Sequence, residues 1–258
     1  MIYQWSPCAS GAAYDLMIDW DNDGEFDPGD DVTDNIFDQG VTVSYGRDQE
    51  RELSPSAVGR AGFVLCNAER IYSPENADGP LYAVLGTARP VSLTVEFQGI
   101  TYGIFNGRLD DFTVQADRTE RSVTFSALDG LALLQNTSLS TAVYQGIRTG
   151  DAINIVLDEI GWSAGRDIDP GATTIAFWWS EANAFDEMAK LIRSEGPPSI
   201  GYVDGEGVFV FKDRHHRILD EVSLVSQATF SATRTVDCPG GPCAGYGECG
   251  YGEGGFGD

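Results

Sequence analysis

Residues 93–107 read LTVEFQGITYGIFNG, and this stretch decides the fold. Two β-prone arms meet at Gln98-Gly99, a pair suited to a tight turn, so the segment predicts an antiparallel hairpin. Reading outward, further strands are expected over 13–19, 41–46, 61–67, 90–98, 100–109, 112–116 and 122–127. In the last of these, SVTFSAL alternates apolar and polar residues, as a half-buried strand does. Short strands at regular spacing, separated by turn residues, point to a barrel or sandwich.

The periodicity changes after Asp129. A short helix is expected over 129–134. A second is expected over 151–160, with Thr149 as its N-cap and Gly161 as its stop. A third, EANAFDEMAKLIRSE, is expected from Ser180 as cap to Gly196-Pro197-Pro198, with Phe185, Met188, Ala189 and Ile192 as its apolar stripe. A second hairpin, IGYVDGEGVFVFKD, turns at Asp204-Gly-Glu-Gly207. The fold class is therefore β-rich α+β. A β-barrel or sandwich domain is expected over 1–135, a smaller α+β domain over 136–233, and a Gly/Cys-rich tail over 234–258. That tail has too few large apolar groups to build a core of its own.

The 258 residues suffice for one large or two modest cores. No apolar run is long enough to span a membrane. The start, MIYQWSPCAS, has neither the basic beginning nor the apolar centre of a signal peptide, so the expectation is a protein kept inside the cell or released by assembly or lysis. Forty acidic against sixteen basic residues give a net charge of −24, which argues against unaided binding to nucleic-acid phosphates.

Between the first two expected strands lies DWDNDGEFDPGD, residues 19–30. Asp19, Asp21, Asp23, Asp27 and Asp30 occupy positions 1, 3, 5, 9 and 12 of this loop, Gly24 position 6, and Glu25, offering its carbonyl, position 7. This is the spacing with which one short loop wraps Ca²⁺, a hard cation that takes six to eight oxygens. Asp30 replaces the usual bidentate Glu, so Asp31 is an alternative twelfth ligand. Strands rather than helices flank the loop, so it is not an EF-hand. A solvated acidic turn that binds nothing accounts for the same residues.

Cys66, in the apolar run GFVLC, reads as a buried core thiol. Cys238, Cys243 and Cys249, with Cys8 as a fourth, admit three readings: a metal or cluster site, a disulfide, or free thiols. Their spacing differs from that of zinc knuckles. The two histidines, His215 and His216, are adjacent, and on an extended chain they would face opposite ways. The chain carries no GxSxG, HExxH, Walker or dinucleotide motif, and no enzyme is expected. The run KDRHHR offers Lys212, Arg214 and Arg217 as an interface for an acidic neighbour or for the chain's own Asp-rich loop; a solvated charged loop is the simpler reading. Trp162, Trp178 and Trp179 are the aromatics that a carbohydrate-binding face would use, although IAFWW also suits a core or subunit interface.

The order of the motifs is more specific than any one of them. IDWDNDGEFDPGDDVTDNI, VTVSYGRDQE, AGFVLCNAERIYSPENADGPL and ARPVSLTVEFQGITYGIFNGRLDDF follow one another, then VTFSALDGLALLQ, TGDAINIVLDEIGW and IGYVDGEGVFVFKDR. This series, over roughly 14–217, resembles tail-hub and minor tail proteins of the tail tip or baseplate of long-tailed bacteriophages and phage-like particles. The resemblance implies a non-enzymatic virion protein on β-barrel domains, assembled in the host cytoplasm. It implies a homotrimeric ring around the central channel, joining the tail tube to the distal tip. Its partners would be the distal tail protein, the tape measure and a tip or spike, with no membrane and with DNA only as passing cargo. A hexameric distal tail ring or a carbohydrate-binding module are the alternatives. Some siphophage hubs hold an iron–sulfur cluster on C-terminal cysteines; here three stand close together, not a clear set of four.

Overall fold

The computed structural model describes residues 2–4, 12–46, 56–116, 121–220 and 224–225. Seven strands fill the first half: β1 (Ile2–Gln4), β2 (Ala12–Ile18), β3 (Ile36–Gly46), β4 (Ala57–Cys66), β5 (Pro90–Phe97), β6 (Ile100–Ala116) and β7 (Arg121–Asp129). All pairings are antiparallel, and the sheet order is β1-β3-β4-β7-β6-β5-β2. The sheet curls into a half-barrel, so the first half is β-rich as expected, but as one curled sheet rather than a barrel or sandwich. The hairpin that decides the fold closes as its sequence predicts. Phe97 pairs with Ile100, and Gln98 and Gly99 both take positive φ (54° and 77°), the backbone of a type I′ turn.

Two expected strands, over 100–109 and 112–116, are one strand of 17 residues. Its ladder with β7 slips between Leu109 and Asp111, and this bulge breaks the alternation without ending the strand. The concave face is apolar: Leu16, Phe63, Leu93, Phe105 and Phe125 are almost completely buried in one cluster. Cys66 is exposed, contrary to the expected core thiol. Strand alternation points Phe63 and Leu65 inward, which leaves Val64 and Cys66 on the outer face.

The second half contains α1 (Leu131–Gln135), β8 (Tyr144–Arg148), α2 (Thr149–Glu159), β9 (Arg166–Ile168), β10 (Thr174–Trp178), α3 (Ala184–Glu195), β11 (Ile200–Val203), β12 (Phe209–Lys212) and α4 (His216–Leu219). β8 and β10 form a two-stranded ribbon. β11, β12 and β9 form a small sheet in which β12 and β9 run parallel. Helices α2 and α3 bury Ile153, Val156, Met188 and Leu191 against Phe209 and Phe211 in a second cluster. Thr149 is the first residue of α2 rather than its cap, because its hydroxyl donates to Thr173 O at 3.2 Å. Helix α3 starts later than its sequence suggests. Asn183, not Ser180, caps it, accepting from Phe185 N and Asp186 N, since Ser180 and Ala182 still accept ribbon hydrogen bonds from Thr141 N and Leu139 N.

Both clusters lie within one compact unit, residues 1–217. They meet where backbone touches backbone. A Cβ at Gly205 would come within 2.1 Å of Gly103 O, and one at Gly103 within 2.9 Å of Gly205 O, so the sheet hairpin and the β11–β12 turn can approach only through glycines. Two stability predictions follow from this packing. Phe125→Ala empties the centre of the first cluster and should cost about 3–5 kcal/mol in denaturant unfolding. Gly205→Ala should lower the melting temperature although it adds one methyl to a turn, whereas Gly29→Ala, which meets open space, should leave it unchanged.

Candidate functional site

The Asp-rich loop is built around Asp19, which is fully buried. Its carboxylate accepts from Asn22 N at 2.5 Å and Gly24 N at 3.0 Å, drawing the loop into a tight coil in which Asn22 and Gly24 have positive φ. Burial pushes the Asp19 carboxyl up, but these backbone N–H groups outweigh it and hold the carboxyl below the usual aspartate value. Asp21 is pushed up, by loss of solvent and by the neighbouring Asp23 carboxylate. Carboxylate oxygens of Asp19, Asp21 and Asp23 lie within 4.8 Å of one another.

Of the remaining expected calcium ligands, Asp30 holds the backbone of the loop itself. Asp30, also buried, accepts from Trp20 N at 3.3 Å and Asp27 N at 3.0 Å. Glu25 is exposed, and its backbone N–H is taken by Asp23. Beyond the coil the chain folds back along β2. Ile18 N donates to Asp30 O, and Val32 N to Leu16 O, so residues 30–32 cover the Leu16–Ile18 end of that sheet edge.

The other motif residues are joints of the same kind. Asn67 accepts from Tyr72 N and donates to Ser73 Oγ, both at 3.0 Å, and Asn35 donates to the Tyr72 hydroxyl at 2.9 Å. These bonds seat Tyr72 among Trp20 and Phe125, with ring centroids 5.8–5.9 Å apart. At the far end of the sheet, Asp129 accepts from Gly59 N at 2.8 Å and Leu131 N at 3.0 Å, tying β4 to the start of α1. Burial pushes the Asp129 carboxyl up to about 6, against the two backbone donors. A cleft of about 330 Å³ lies beside it, lined by Tyr45, Leu131, Ile200, Val203 and Asp204. Burial, then the Asp129 and Asp204 carboxylates, raise the Tyr45 hydroxyl.

Asp129, Glu187 and Glu195 carry structural weight that sequence reasoning did not assign. Glu187 accepts from Trp178 Nε1 at 2.8 Å, and Glu195 from Ala172 N and Thr173 N. A signal exists: Glu187 and Glu195 share the stripe of α3 with Ala184, Met188 and Leu191, where a solvated acid would not stand.

Of the basic run, Lys212 pairs with Asp167 at 2.8 Å and Asp169 at 3.6 Å. Burial works against its charge, yet these carboxylates hold its pKa above the usual lysine value. Arg214 lies 3.9 Å from Glu195, His216 3.1 Å from Asp169, and Arg217 is exposed. Among the tryptophans, Trp162 and Trp178 are buried and Trp179 is 56% exposed. Cys8, Cys238, Cys243, Cys249 and the tail over 234–258 lie outside the described residues.

No model of a known protein family matches the chain, nor does any curated protein. Solved structures do. A tail protein from Neisseria meningitidis is similar at 12% identity, over 78% of this chain and 51% of its own, with a TM-score of 0.47. The prophage MuSo2 tail protein from Shewanella oneidensis is similar at 14% identity, over 77% and 53%, with a TM-score of 0.46. The Francisella PdpA–VgrG complex is similar at 11% identity, over 84% and 30%, with a TM-score of 0.49. The chain thus spans about half the length of the two tail proteins.

Asp129 yields a pH prediction. Its folded pKa lies above the unfolded value of about 3.9, so its contribution is fully present below that value and is lost as pH rises through about 6. Between about pH 4 and pH 7, wild-type stability relative to Asp129→Asn should fall by on the order of 2–3 kcal/mol in chemical unfolding. Parallel pH profiles for the two proteins would exclude this role.

Proposed function

We propose that this chain is a structural component of the tail tip or baseplate of a phage or phage-like particle. In this reading it forms a ring around the central channel and joins the tail tube to the distal tip. The observation that carries the reading is the placement of the motif series. Its distinctive residues, Asp19, Trp20, Asn67, Tyr72, Gly107 and Asp129, hold turns, strand ends and the core of the half-barrel. Motif residues that hold a scaffold suit a part whose function is its shape. The hub reading is preferred to a distal tail ring because a second α+β cluster follows the sheet, ending in the β11–β12 hairpin. The partners are further copies of the chain and the neighbouring tail proteins, and the place of action is the virion. An acidic lining of the channel would let DNA slide without adhering.

Within this reading the Asp-rich loop is a clamp on the edge of β2. Asp19, Asp21 and Asp23 are the residues that would hold a calcium ion, whose charge would relieve the repulsion among them. Calcium should then raise the melting temperature by several degrees and EDTA reverse the gain; a flat response assigns the loop's order to its hydrogen bonds alone. The larger reading is tested by electron microscopy of particles assembled with a tagged chain. Density for the tag at the tip with threefold symmetry is expected. Sixfold symmetry would select the distal tail ring, and absence of the chain from particles would overturn the reading.

A further inference from the structure

The ribbon of β8 and β10 is the most exposed sheet of the described residues. It has only two strands, and backbone bonds prolong it at both ends, from Thr149 N to Thr173 O at 3.1 Å and from Thr141 N to Ser180 O at 3.0 Å. Among the described residues neither strand has a sheet neighbour on its outer side. Trp178 faces the second core, 4% exposed, with its ring centroid 5.8 Å from that of Tyr144. Strand alternation turns Phe177 the other way, 61% exposed; Trp179 and Val143 beside it are 56% and 63% exposed. Free strand edges that carry large apolar side chains bind other strands.

Charge narrows the choice of partner. Forty of the 258 residues are acidic, yet residues 141–149 and 173–180 include no Asp or Glu, and Arg148 is their one charged side chain. Two copies of a chain with net charge −24 repel each other over most of their surfaces. The ribbon is a face on which that repulsion is weak and apolar burial is available. Its two open edges lie on opposite sides of one element. Pairing the outer edge of β10 in one copy with that of β8 in the next is a head-to-tail contact, which closes into a ring when the rotation per copy permits.

We propose that the β8–β10 ribbon is the surface through which this chain binds a second copy of itself, by strand addition that covers Phe177 and Trp179. This rests on the ring-forming reading above and assigns the contact to the second cluster rather than to the edges of the seven-stranded sheet. The Leu16–Ile18 end of the β2 edge of that sheet is already covered by residues 30–32.

The test measures the mass of the purified full chain by sedimentation across a concentration series. Wild type should give multiples of the single-chain mass. Phe177→Asp and Trp179→Asp should each weaken association by on the order of tenfold or more, without a change in melting temperature. Tyr82→Asp, at an equally exposed aromatic outside the ribbon, should leave association intact. A wild type that stays monomeric at every concentration overturns the proposal. So does assembly that survives the Phe177→Asp/Trp179→Asp double variant, a result that leaves the ring reading standing. Ring density for this chain absent from intact particles defeats the ring reading itself. Retention of a glycan by wild type that the double variant loses, without self-association, would make the ribbon a sugar platform and overturn the proposal.

Discussion

The packing of Trp20, Tyr72 and Phe125 is the contact on which the rest of the first core depends. Trp20 comes from the Asp-rich loop, Tyr72 from the irregular segment between β4 and β5, and Phe125 from the middle of β7. Three parts of the chain far apart in sequence therefore converge on one apolar cluster. A half-barrel has an open side, and its inner face is stable only if something covers it. Here the cover is the segment carrying Tyr72, with Ile71, Leu81, Val84 and Leu85 packed against the same cluster.

The buried carboxylates of this chain hold its backbone in place. Asp19, Asp30, Asp129 and Glu195 each accept two backbone N–H groups at a turn or strand end. A buried carboxylate is costly unless hydrogen-bonded, and two amide donors offset part of that cost while holding a loop in one conformation. The opposing effects show in the acid constants. In Asp19 the amide donors prevail and the carboxyl is held low, whereas in Asp129 burial prevails and it rises to about 6. The basic residues near the end of the described chain serve the same economy of structure, since Lys212 and Arg214 face carboxylates of their own chain.

Much of the fold was legible because its signals are local. The Gln98-Gly99 turn, the Asp204–Gly207 turn, the alternation in β7 and the stripe of α3 depend on residues within a few positions of one another. The misreadings arose where a distant contact outweighed a local preference. Asn183 rather than Ser180 starts α3, because the ribbon strand reaches past Ser180. Cys66 faces outward because the core lies on the other side of β4. The spacing of the Asp-rich loop predicts a turn with its carboxylates gathered close together, and Asp19, Asp21 and Asp23 do approach one another. That Asp30 turns to the loop's own amides could not be read from spacing, since it depends on the return of residues 30–32 along β2.

The sequence by itself determined the fold class of the protein: a β-rich first half, a change to helical periodicity after Asp129, two hairpins with defined turns, and the order in which these follow one another. Each is a matter of local propensity or of order along the chain. Only the tertiary structure decided what the motif residues are for, which acids are buried, and which aromatics remain outside. Burial is a property of the whole packed chain. Trp178 and Trp179 are neighbours in sequence, and the pleat of one short ribbon sends the first into the core and leaves the second exposed.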